Sequence, residues 1–354
     1  MKNITVLSVL VTIIFLFSAI NSLNSEELSE NIEQSNEETE AEITEKRQRR
    51  YGASIGVHLG FIYGKSIELV YPTDTKGKYL SQLLWNMKPL YYSGINIDVG
   101  LNDIMSGKGY FSTLSFKAGF PVDSGIHENR DWMSIENSRL THYSKHTNRT
   151  DNFFLIDWHN GISIPVSIFY LKPFINFSWM HFSFSGSNGH GTYARGKKYD
   201  KDGIPTEDHS QNPTMFYPIL DNPRKIDYYG KLITYDQDWL LVAAGFSFGT
   251  NILSLFSINL SFQISPLTFC TAIDQHLTTG NTYYDYTGFG LFLEGGGNFS
   301  FKWNFLVLSL ELNYRYVSNT RGYTVINKAD YYAPNESGAG LSLMDTRFII
   351  KFQF

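Results

Sequence analysis

From Tyr51 to Phe354, apolar and polar side chains alternate with a period of two, the pattern of strands whose successive side chains point to opposite faces. In the last segment, Phe348, Ile350, Phe352 and Phe354 share one face, while Arg347, Lys351 and Gln353 share the other. Ten such runs can be marked, roughly 52–71, 78–100, 104–122, 149–166, 172–190, 226–247, 254–272, 283–300, 304–322 and 340–354. Ten is even, as a closed antiparallel bacterial barrel requires. Connections near 101–103, 167–171, 248–253 and 301–303 are short, whereas 123–148, 191–225, 273–282 and 323–339 are long and polar. Short turns at one end and long loops at the other predict a transmembrane barrel with both termini in the periplasm. Several runs exceed the roughly 9 to 11 residues needed to cross the hydrocarbon core, so the sheet should project above the membrane. Pro89 cannot donate to a ladder, and a bulge is expected there.

Composition agrees with this all-β architecture. Aromatic residues make up 16% of the 354, and there are 29 glycines. Membrane barrels combine aromatic girdles with a polar interior, although a soluble β-sandwich could share these values. The single cysteine, Cys270, has no intrachain partner, so stability must come from the sheet and its packing. A net charge of −5 offers no basic surface to nucleic acid.

The leader also reads clearly. Residues 1–25 carry one early Lys, an apolar run from Ile4 to Phe17 and a small, polar stretch: a secretory signal peptide without a clean cleavage triplet. No other segment has 18 consecutive apolar residues. Residues 26–50 hold nine Glu followed by a basic KRQRR run, and should be a solvated, disordered periplasmic lead-in to the 51–354 barrel.

Several constellations could carry chemistry. Asp274 and His276, two apart at a strand end, would lie on one side with Cα atoms roughly 6.5 Å apart. A carboxylate at that range can orient one imidazole nitrogen and leave the other to accept a proton from water. By spacing alone, the pair reads more readily as two solvated loop residues. Asp157 and His159 share the spacing but fall at membrane depth inside the barrel, where a structural network is expected. In HENRDWMS, 127–134, placed in the loop after the third run, Asn129 and Asp131 share a face if the chain is extended. Its plain alternative is a loop whose Trp132 packs on the rim. The oxygens of 200–209 lack the spacing of a calcium loop, and the glycines of 288–290 and 294–297 suit a bent strand better than a nucleotide cradle.

The chain resembles the omptin family of outer-membrane proteases. The resemblance rests on GKSIELVY at 64–71, YLSQLLW at 79–85, DWM at 131–133, Ser144-Lys145-His146, ITYDQ at 233–237, DQH at 274–276, NTRGYT at 319–324 and GAG at 338–340, collinear from about residue 53 to the end. It implies an endopeptidase cleft at the extracellular mouth of a monomeric ten-stranded barrel that needs no prosthetic group but requires lipopolysaccharide. Its partners would be peptide or protein substrates at the cell surface and outer-membrane lipid. Asp274 would orient His276 to activate water, and an Asp-x-Asp pair across the cleft would hold that water. Here Asp131 keeps one member, while Asn129 stands in place of the other and carries no charge. Glu68 matches an acidic residue that binds a basic substrate side chain. His142 and Ala272 occupy two further positions where the family is acidic. A catalytically impaired barrel used as a surface binding protein or adhesin is the alternative expectation.

Overall fold

The computed structural model describes residues 49–72, 79–103, 108–132, 140–199, 205–206, 217–252, 255–327 and 331–354. The predicted leader and acidic segment, Met133 and most of 200–209 lie outside the described residues. The strands are β1 (Arg49–Val70), β2 (Ser81–Asp103), β3 (Gly109–Gly119), β4 (Val122–Asp131), β5 (His142–Val166), β6 (Phe169–Tyr199), β7 (Pro205–Thr206), β8 (Tyr217–Ile252), β9 (Phe256–His276), β10 (Asn281–Gly288), β11 (Phe292–Trp303), β12 (Leu306–Val317), β13 (Arg321–Ile326) and β14 (Tyr331–Gln353).

Three positions around the sheet are each filled by two strands. β3 and β4 both bridge β2 and β5, β10 and β11 both pair with β9, and β12 and β13 both pair with β14. β14 pairs with β1 and closes the ring. Counting each such pair as one stave, the sheet is an antiparallel barrel with ten positions. The break between β3 and β4 falls at Phe120-Pro121, where proline has no N–H to give. That between β10 and β11 contains Phe289 at a φ of 59°, which leaves the strand region. At Pro89 the β1–β2 register shifts between Ile62 and Gly64, giving the expected bulge.

The strands run much farther than the sequence pattern indicated. Residues 123–131, 142–148, 191–199, 217–225, 273–276 and 331–339 were expected in long loops, yet all are strand. The connection expected over 273–282 shrinks to a turn between His276 and Asn281. The physical cause is a change of solvent. Beyond the lipid both sheet faces can be polar, so the hydrophobic alternation fades while the backbone ladder continues.

The outer face carries exposed Ile55, Val57, Leu59, Phe177, Leu260 and Phe269, an apolar band of the kind that faces hydrocarbon. At the same depth the interior is polar and paired. Arg315 lies 3.2 Å from Asp157 and also bonds Glu294, while Arg347 lies 2.6 Å from Glu311 and Lys351 lies 2.8 Å from Asp98. Lys117 and Tyr92 both bond Asp345. The charged groups among them line a cavity of about 860 Å³ that extends toward the termini. Above it, Phe153, Met180, Phe182, Phe184, Trp85, Tyr235 and Trp239 form an apolar layer across the lumen. This layer is the dry floor of the site beyond the band.

Candidate active site

β9 brings Asp274 and His276 to one side of its far end, past the last band residue, Phe269. His276 Nε2 donates to Asp274 Oδ2 at 2.7 Å, leaving Nδ1 as the proton-accepting nitrogen. Burial disfavours a charged imidazole, but the hydrogen bond and charge of Asp274, followed by the charge of Asp131, offset it and raise the His276 pKa above 6.5. Asp131 is on β4, four staves away, yet the two charges act on each other across the lumen.

β4 is a strand here, which corrects the expected loop. It lies between β2 and β5, with Asn129 opposite Leu83 and Ser144, and Asp131 opposite Ser81 and His142. Alternation puts His127, Asn129 and Asp131 on the inner face. Glu128 and Arg130 occupy the other face and bond each other at 2.6 Å. Glu128 therefore does not replace the missing carboxylate.

Ser81 joins the two inner residues. Its Oγ lies 2.6 Å from Asp131 Oδ1 and 3.2 Å from Asn129 Oδ1. A hydroxyl has one proton, and the shorter contact gives it to Asp131. An amide turned about its axis could then donate its N–H to Ser81. Burial pushes the Asp131 carboxyl up to about 6, partly opposed by the Ser81 hydrogen bond and the charge of His276.

His142 faces the same space beside Asp131, with Nδ1 at 2.9 Å from Thr141 Oγ1 and its ring against Tyr193. Burial lowers its pKa, so it is a neutral group where the family resemblance implies an acid. Trp132 packs edge-on against Tyr79 at 5.2 Å, a rim contact.

Glu68 lies on β1 against the Trp85 indole, whose Nε1 is 3.5 Å from Oε2. Burial, then the charges of Asp274 and Asp285, hold its carboxyl well above the usual range. Asp157, by contrast, is tied to Arg315 in the lumen and plays no part in this site.

Sequence reasoning missed Ser81, His127 and Asp285. His127 lies 3.9 Å from the Trp85 ring and 5.7 Å from that of His146. Burial, His146 and His276 all lower its pKa, so it is neutral. Counting back from a tight hairpin over 277–280 could have placed Asp285 beside the site; reading that segment as a long loop concealed it. The described residues contain no cluster of three His, Cys, Asp or Glu arranged to hold a metal ion.

Comparison with known proteins is consistent with the collinear motifs. The outer-membrane protease OmpT from Escherichia coli has the same fold, with a TM-score of 0.69 and 16% identity over 86% of this chain and 97% of that one. The translocator domain of the autotransporter NalP from Neisseria meningitidis aligns over 96% of both chains, at 10% identity and a TM-score of only 0.35. No curated protein sequence matches. The sequence model of the Omptin family matches residues 49–354, the whole described barrel, and the chain belongs to the omptin family of outer-membrane proteins.

Proposed function

We propose that this barrel is an endopeptidase whose cleft faces the cell exterior and hydrolyses peptide bonds in surface-accessible peptides or proteins. The observation that carries this reading is the 2.7 Å Asp274–His276 hydrogen bond, set electrostatically against Asp131 across the cleft. Asp274 fixes the imidazole with Nδ1 as the base. Water placed between His276 and the Asn129–Asp131 pair loses a proton to Nδ1 as its oxygen attacks the scissile carbonyl. The resulting imidazolium returns that proton to the leaving amine. Asp131 accepts a hydrogen bond from the water, and Asn129 supplies amide donor and acceptor groups without a second negative charge.

Asn129 alters the site in a defined way. Two adjacent carboxylates repel, and one would hold a proton more tightly. With a neutral amide, Asp131 ionises above about 6 without that competition. The test is to refold the barrel in detergent with lipopolysaccharide, which the family resemblance implies for activity, and to profile it on a peptide library. Cleavage by the wild type that disappears in His276→Ala supports the enzyme. A barrel that cleaves nothing and gains nothing in Asn129→Asp overturns the enzyme reading.

A further inference from the structure

The carboxylates and cations of the lower lumen do not match in number. Asp98, Asp157, Glu294, Glu311 and Asp345 line its cavity of about 860 Å³, and Lys117, Arg315, Arg347 and Lys351 take up all five. Two further cations line the same space, Lys172 on β6 and Lys302 on β11. We propose that the lower lumen binds a small organic anion, a carboxylate or a phosphate monoester, on the Lys172 ammonium. The site is separate from the cleft, which lies beyond the apolar layer, and it does not rest on the peptidase reading.

Three observations support it. Among the described residues, neither Lys172 nor Lys302 forms an ion pair with a side-chain carboxylate or with the carboxylate that ends the chain at Phe354. The charge of Asp98 reaches Lys172, but its Oδ2 already accepts from Ser54 and Lys351 and its Oδ1 from Thr113. Lys172 is also held in place. Its Nζ stands 4.8 Å from the centre of the Tyr170 ring and 5.4 Å from that of Phe111, both within cation–π range. Each ring leans over a glycine: a Cβ on Gly161 would press on Phe111, and one on Gly249 on the Tyr170 hydroxyl. Finally, Ser247, the register partner of Lys172, donates to Asn259 Oδ1 at 2.8 Å, and both line the cavity.

An ammonium set on ring faces regains part of what hydration gives it, and an anion supplies the rest. Lysine meets a carboxylate or phosphate as a point charge, and the Asn259 amide, its oxygen engaged by Ser247, has N–H groups left to donate to the same ligand. The volume is that of an ordinary small-molecule site. Exposed Lys302 and Asn304 line its lower end, where β1 begins and β14 ends, so the ligand enters from that side, the periplasm in the predicted topology. The apolar layer lies across the other end.

The test is calorimetric titration of the refolded barrel with benzoate, phenyl phosphate and benzamide, the uncharged isostere of benzoate. At least one anion should bind about 10-fold more tightly than benzamide, and Lys172→Met should remove that preference. Benzoate alone marks a carboxylate ligand, phenyl phosphate alone a phosphate, and both together a site for either; each of these supports the inference. Binding of neither anion above benzamide overturns it, as does undiminished binding in a Lys172→Met barrel whose unheated gel mobility shows it folded. A second measurement uses the wild type alone. The bound anion, at about ten times its Kd, should slow reductive methylation of Lys172 about 10-fold by peptide mass spectrometry, while exposed Lys225 reacts as before. An equal rate at Lys172 with and without the anion overturns the inference.

Discussion

In the lower lumen, Asp157 and Glu294 share Arg315, Glu311 bonds Arg347, Asp98 bonds Lys351 and Asp345 bonds Lys117. In the cleft above, Glu68, Asp274, Asp285 and Asp131 are buried as deeply in part, but among the described residues none has a Lys or Arg partner. The same chemical group is therefore used in two ways, separated by the apolar layer around Phe182 and Trp239. Below, charges neutralise each other and hold staves together. Above, Asp274 holds His276 instead of a cation. Pairing state distinguishes the acids of the lumen from those of the proposed cleft, because burial alone does not.

The largest effect should come from Asp274→Asn. The change keeps the shape but removes the charge that orients His276, and kcat should fall about 10³- to 10⁴-fold in a peptide-cleavage assay. Removing a lumen partner should instead affect folding. Arg315→Met leaves Asp157 and Glu294 without their cation and should destabilise the barrel by about 3–5 kcal/mol in denaturant unfolding.

Neutralising a cleft acid should have the opposite sign. The folded pKa of Asp285 is about 7 against an ordinary 3.8, so in that window the unfolded chain releases a proton that the folded chain keeps. Stability must therefore fall as pH rises from about 4 to 7. Asp285→Asn should flatten that part of the unfolding profile, and an unchanged slope would show that Asp285 is not held protonated. The smallest effect is expected outside the cleft: Glu128→Gln breaks a partly exposed pair with Arg130 and should change stability by less than about 1 kcal/mol, with cleavage unaltered. A large loss of cleavage would mean that Glu128 reaches the site after all.

The sequence made the band legible and hid much of what stands above it. Phe348 and Phe352 face outward and Arg347 and Lys351 inward as the alternation required, because lipid on one side and a polar lumen on the other impose period two. Over 122–131 and 191–199 both faces meet polar surroundings, so the chain stays in the sheet without that signature. Asp274, His276, Asn129 and Asp131 were recognisable from local motifs. Ser81 and Asp285 were not, since their roles depend on partners in register rather than on neighbours in sequence. Register also resolved Glu128, which faces away from the site.

The most direct test is the rate of cleavage of one arginine-containing peptide by the refolded, lipopolysaccharide-supplemented barrel from pH 5 to 9, with His276→Ala as the blank. His276 must be neutral to accept a proton, and its pKa is raised above 6.5, so kcat should climb through neutral pH to an alkaline plateau while the variant stays at background. A wild-type rate that is absent at every pH, or one that His276→Ala reproduces, would contradict the account.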